Sequence, residues 1–248
     1  MNEVQAMGSA VSSAVRGVDP ADAVVARLES SAAEGERWLA GYAKRKVRMD
    51  HLYRFALPLI PPGVKVLDLG CGLGLLGMLL EARGQGNETH GIEWDLPKAR
   101  FAAGMAEGNP SIRVVCGDLF REPWPRCSVV TVLDVLHYLP AERQRALLFR
   151  IGAHLPEGGR LLLRVMDGHQ GGTARVARLC ERMAVAFGWN RASRVHWRAL
   201  AEVQSDLRDA GFEVRRTPGM TDRSFGNHLL VGEKQGTGPH SFLGPGFV

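Results

Sequence analysis

Residues 66–77 read VLDLGCGLGLLG. The run opens as a short apolar strand and closes among leucines that favour a helix, with Gly70, Gly72, Gly74 and Gly77 at the junction. A strand, a glycine turn and a helix in this order aim free N–H groups at whatever lies above the strand end. From Gly72 the spacing is G-x-G-x-x-G, the dinucleotide fingerprint. From Asp68 it is D-x-G-x-G-x-G, which suits a different nucleoside.

Two features separate these readings. Asp68 is placed just before the first glycine, on the turn, where a dinucleotide's pyrophosphate would meet a repelling carboxylate. A nucleoside bearing an ammonium and a sulfonium would be attracted to it. The second feature is a row of acids. Glu93 ends the next expected strand, about twenty residues beyond the loop, where a carboxylate can accept both ribose hydroxyls. Asp118 follows the third strand in CGDLF, placed to take an adenine amino group while Leu119 packs on the ring.

Outward from the loop, strands and helices alternate. ETHGIEW, IRVVCGD, SVVTVLDVL and GGRLLLRVMD read as strands; LLGMLLEARG, PKARFAAGMAEG, AERQRALLFRIGAHL, GTARVARLCERMAVAFGW and WRALAEVQSDLRDAG read as helices. FEVRRTP and NHLLVGEK follow one another without a helix and predict an edge hairpin with the last strand antiparallel. Repeated β-α units imply a mostly parallel sheet covered on both faces. Before the loop, Asp19-Pro20 is a helix start. Helical pattern runs on to Lys46 with a break near Gly35, and a second helix spans roughly Met49 to Leu57. The expected organisation is a disordered start (1–18), a helical extension or lid (19–62), the main domain (63–235) and a loose tail (236–248).

The motifs VLDLGCGLG, GIEWD, CGDLF and VVTVLDVLHYLP, in this order, resemble the class I S-adenosylmethionine-dependent methyltransferases. The resemblance covers Val64 to about Leu155, and the closing strands extend it to about residue 234. It implies an α/β Rossmann-like fold with a seven-stranded sheet and S-adenosylmethionine as cofactor, with S-adenosylhomocysteine as product. It also implies roles: Asp68, Gly70, Cys71 and Gly72 around the methionine part, Glu93 on the ribose, and Asp118 with Leu119 at the adenine. Trp94 either covers the adenine or packs between sheet and helix. Asp134 interrupts an apolar run and is expected to line the cofactor site.

Catalytic candidates follow strands four and five. His137 has a base's pKa range, with Tyr138 beside it; the competing reading of His137 is structural work at the turn. His169, in the glycine-rich RVMDGHQGG, is a second candidate base. Arg164, in an apolar strand, needs a partner or an anionic ligand. His196 and Trp197 are expected to pack near the pocket. The lid from Trp38 to Tyr53 gathers Tyr42, Lys46, Arg48, Asp50, His51 and Tyr53.

Composition sets the outer bounds. The 248 residues are 45% hydrophobic and 23% charged, ordinary for a globular chain. No apolar run reaches membrane-spanning length, and the start shows no basic region followed by an apolar stretch, so a cytoplasmic enzyme is expected. Cys71, Cys116, Cys127 and Cys180 lie far apart, which argues for reduced thiols and against a metal site. The net charge of +5 is concentrated around the lid, where Arg37, Lys44, Arg45, Lys46, Arg48 and Arg54 face Asp50 alone. That is either a solvated face or a dock for an acidic partner.

The stretch YAKRKVRMDHLYRFALPLIPPG, with GIEWD and LCERMAVAFGWNR, also resembles methyltransferases of bacterial aryl-polyene pigment pathways. That resemblance implies secondary metabolism and a small phenolic acceptor, carried on an acidic acyl carrier protein. Rival readings are an RNA or protein methyltransferase, a non-catalytic S-adenosylmethionine-binding protein and a nicotinamide enzyme. Against nucleic acid, LDVLH stands where an N-P-P-Y type motif would, and Asp68 opposes nicotinamide. The oligomeric state is open, a homodimer included.

Overall fold

The computed structural model describes residues 18–167, 195–217 and 227–236. The expected helix GTARVARLCERMAVAFGW, with Cys180, and the candidate His169 lie outside them.

The strands are β1 (Lys65–Leu69), β2 (Glu88–Glu93), β3 (Ile112–Cys116), β4 (Val129–Leu133), β5 (Arg160–Met166), β6 (Phe212–Arg216) and β7 (Asn227–Lys234). They form one sheet in the order β3-β2-β1-β4-β5-β7-β6. Neighbours among the first five run parallel, and β7 runs antiparallel to both β5 and β6. Six strands therefore share one direction and the last opposes them. The closing hairpin sits at the sheet edge, but its second strand is the inner one, wedged between β5 and β6. The central strands read as apolar because they are covered on both faces.

The described helices are α1 (Pro20–Ser31), α2 (Arg37–Met49), α3 (Leu52–Ala56), α4 (Leu75–Ala82), α5 (Leu96–Met105), α6 (Ala141–His154) and α7 (Leu200–Asp209). Alternation along each strand divides the core in two. Val66, Val129 and Leu162 face α1 to α5, while Leu67, Val130, Leu161 and Leu163 face α6 and α7. The extension is thus built into the core, through Val24, Leu28, Leu39, Ala43, Val47 and Leu52.

Local chemistry sets the helix ends. Asp19 caps α1, its carboxylate accepting the Ala21 N–H at 2.7 Å, with Pro20 at the first position. Asp95 caps α5 through the Lys98 N–H. The break between α2 and α3 falls at Asp50, one residue beyond Met49, where the carboxylate accepts the Leu52 N–H at 3.0 Å. Among the described residues no helix is long and apolar enough to cross a membrane.

Candidate active site

The chain runs outward from β1 to β3, then returns past β1 to β4 and onward to β5. The reversal opens a crevice above the carboxyl ends of β1 and β4, where ligands of such sheets sit. A cavity of about 340 Å³ occupies that place, lined by the glycine turn, the ends of β2 to β4, and α2 and α3. Asp68, Gly70, Cys71, Gly72, Glu93, Trp94, Asp118, Leu119, Asp134 and Tyr138 all line it. His137 does not.

Gly70 is obligatory at its position: its φ is +73°, and a Cβ there would overlap Cγ2 of Val135. The next turn of chain is fixed by Glu93. One carboxylate oxygen accepts the Gly72 N–H at 2.8 Å and the other accepts the Asp95 N–H at 2.9 Å. Each oxygen keeps a further lone pair, so the buried carboxylate can still take a diol. Cys71 packs over β2 because Gly91 leaves the space; a Cβ at Gly91 would sit 2.6 Å from the sulfur. Burial, then Asp68 and Glu93, push the Cys71 thiol well above its ordinary value.

Asp68 departs from its expected place. It belongs to β1, one residue before the strand's end, rather than to the turn. It is buried opposite Thr131 of β4, whose hydroxyl donates to it at 2.7 Å. Burial pushes Asp68 up to about 6; the Thr131 bond lowers it, the Glu93 charge raises it and Lys46 lowers it. A buried carboxylate with so little compensation favours a cation, and it would resist a pyrophosphate. Thr131 was legible only as the hydroxyl in an otherwise apolar strand.

Asp118 accepts the Phe120 N–H at 2.8 Å and pairs with Arg143 at 3.5 Å, while Arg143 lies over the Phe120 ring. Arg143, not singled out in the sequence, therefore orients this acid. Trp94 is 52% exposed and lines the cavity.

A charge cluster closes the other end. Asp134 has φ 63°, left-handed for a residue that is not glycine, and this turn ends β4 at Leu133. Its Oδ2 meets Lys46 Nζ at 3.2 Å and Arg164 Nη1 at 3.0 Å. Arg164 Nη1 also bonds Asp50 Oδ2 at 2.7 Å. The partner that Arg164 needs is thus a pair of carboxylates. Burial opposes the Asp134 charge, but Lys46 and Arg164 outweigh it and lower its pKa. Burial likewise opposes the Lys46 charge; Asp134, then Tyr53, Tyr42 and Asp50, outweigh it and raise its pKa.

His137 lies in the turn Leu136–Tyr138 behind the cavity. Its ring stacks on Trp197 at 5.2 Å, and its carbonyl accepts the His196 N–H at 2.8 Å. Burial lowers its pKa to about 4, with Asp134 opposing and Arg164 and Lys46 assisting. His137, a candidate base with structural work at the turn as its competing reading, lines a second, much smaller hollow with Trp197 and Arg198.

Comparison with known proteins agrees with this geometry. A family model described as a methyltransferase domain matches residues 42–217. Carboxy-S-adenosyl-L-methionine synthase from Shewanella sp. (strain ANA-3) is 28% identical over 114 residues, 44% of this chain and 47% of that protein. The chain spans about half the length of the curated relatives it matches. An O-methyltransferase family 2 protein from Planctomyces limnophilus DSM 3776, in complex with apigenin, superposes with a TM-score of 0.60 at 20% identity, over 86% of this chain and 65% of that one. Magnesium protoporphyrin IX methyltransferase from Synechocystis PCC 6803, with bound SAH, gives 0.58 at 18% identity, over 86% and 93%. The chain belongs to the methyltransferase-domain family, within the class I S-adenosylmethionine-dependent methyltransferases.

Proposed function

We propose that the protein methylates a small aromatic acceptor at a phenolic oxygen. The observation that carries this is the shared cavity: Tyr42, Lys46 and Tyr53 from the helical extension face the same space as the acids at the strand ends. S-adenosylmethionine supplies an activated methyl group on its sulfonium. The chain's task is to bind and orient both reactants at near-attack distance while excluding water. Asp68, Gly70, Cys71 and Gly72 hold the methionine part, Glu93 the ribose, and Asp118 with Leu119 the adenine beneath Trp94. Asp134 and Tyr138 border the acceptor end. His137 holds the β4 turn in place through its stack on Trp197. Aromatic walls at Tyr42, Tyr53 and Tyr138 suit a flat acceptor. A fold neighbour is an O-methyltransferase holding apigenin.

The outer face of α2 supports delivery by an acidic carrier. Trp38 and Met49 are exposed there, beside Arg37, Arg45 and Arg48, and no acid occurs between Arg37 and Met49. Such a surface suits an acyl carrier protein bearing the acceptor, as in aryl-polyene-type secondary metabolism.

The test is transfer of labelled methyl from S-adenosylmethionine to phenolic acids, free and loaded on an acyl carrier protein. Label in the phenol ether supports the proposal. Label in RNA or protein with none in any phenol overturns it.

A further inference from the structure

We propose that Lys46 is the group that receives the acceptor's oxygen as an anion, so that a phenol is bound and methylated as its phenolate. This rests on the phenolic acceptor proposed above and names the residue that selects it.

The titratable groups of the cavity leave little room for a base. The lining contains no histidine among the described residues. Both Glu93 oxygens hold backbone N–H groups, Asp118 holds Phe120 and Arg143, and Asp134 holds Lys46 and Arg164. Asp68 lies deep in β1 against Thr131. An acceptor that arrives as an anion needs no base at the moment of transfer. What it needs is a cation in the wall.

Lys46 is that cation. It projects from α2 into the cavity beside Asp134, which the structure places at the β4 end. An ammonium has three N–H donors, and the Asp134 bond uses one. The groups around it come from every element packed there: Tyr42 of α2, Asp50 of the α2–α3 break, Tyr53 of α3, and Asp134 after β4. Arg164 of β5, Asp68 of β1 and His137 of the turn after β4 complete the set. Lys46 and Arg164 balance Asp134 and Asp50, which leaves the Asp68 carboxylate as the unbalanced charge that the cofactor's cation meets. An acceptor oxyanion then pairs electrostatically with the sulfonium across the cavity, with Lys46 offsetting the cost of removing that oxygen from water.

The step balances. The phenol's O–H proton goes to water as the oxygen settles against Lys46. An oxygen electron pair then forms the O–CH3 bond while the S–CH3 bond breaks and its pair stays on sulfur. No further reactant is required.

The test compares wild type, Lys46→Met and Lys46→Arg with 4-hydroxycinnamate as acceptor. An opposite charge at contact moves an acid by about 1–3 pH units. The pH midpoint of kcat, which reports the bound state, should rise by that amount in Lys46→Met, with activity recovering at high pH, and stay near wild type in Lys46→Arg. Independently of turnover, the phenolate absorption of 4-hydroxycinnamate on SAH-loaded protein should appear at lower pH in wild type than in Lys46→Met. Unchanged SAH affinity in Lys46→Met shows that the fold and cofactor site survive. An unmoved midpoint and unmoved absorption overturn the Lys46 role, including the case in which Lys46→Met raises KM alone because Lys46 binds the carboxylate. If wild type binds SAH yet neither binds nor methylates the phenol, the phenolic acceptor itself fails, and the Lys46 role with it.

Discussion

Arg164 of β5 and Asp50 of the α2–α3 break meet at 2.7 Å, joining the helical extension to the sheet across 114 residues of sequence. The same guanidinium nitrogen reaches Asp134 at 3.0 Å, and Asp134 reaches back to Lys46 of α2. The roof of the cavity is therefore pinned to the floor by alternating charges. Removing Arg164 leaves the half-buried Asp50 without this cation and Asp134 with Lys46 in its place. Arg164→Met should cost about 3 kcal/mol in urea unfolding and raise hydrogen exchange in α2 and α3. A loss below about 0.5 kcal/mol, with exchange unchanged, would show that the pins carry no weight.

Asp68 should make both stability and cofactor binding depend on pH. Its value in the folded chain is about 6, against an ordinary 3.8. Folding therefore favours the protonated acid, a contribution complete below 3.8 and lost as pH rises through 6. Asp68→Asn should stabilise the ligand-free protein at about pH 8, by up to about 3 kcal/mol, and lose the advantage at low pH. In wild type, affinity for S-adenosylmethionine should weaken as pH falls through the same range, because a cationic ligand needs the carboxylate. A flat affinity profile from about pH 5 to pH 8 would contradict this.

His137 should act on stability more than on turnover. Its pKa in the fold is about 4, against an ordinary 6.5. The neutral ring is what the fold accepts, so this contribution is full above 6.5 and disappears as pH falls through 4. Thermal melts of wild type and His137→Ala should converge across that window. Turnover at neutral pH should drop less than about tenfold, since a lost general base costs about 10²–10⁴. A fall in that larger range would restore His137 as the base.

Much of this site could be read from the chain. The glycine turn, the acid at the end of β2 and the acid after β3 lie at strand ends that hydrophobic period and glycine punctuation locate. Arg164 could be marked as needing a partner because a cation in an apolar strand is costly. Which partner it finds could not, because Asp50 and Asp134 reach it only through tertiary packing. The Lys46–Asp134 pair is equally long-range. The side on which His137 falls depends on the left-handed turn at Asp134, which no periodicity encodes. The insertion of β7 between β5 and β6 is likewise a matter of sheet assembly, and adjacent strands in sequence predict only that the two pair.

Glu93 and the glycine turn are expected to act as one nucleoside site. Calorimetric titration of wild type and Glu93→Ala with S-adenosylhomocysteine, with NAD in parallel, tests it most directly. Wild type should bind the adenosyl compound and not NAD. Glu93→Ala removes charged hydrogen bonds worth about 1.5–3 kcal/mol and should bind roughly 10–100-fold more weakly. Equal affinity in the variant, or binding of NAD by wild type, would rule out this nucleoside site.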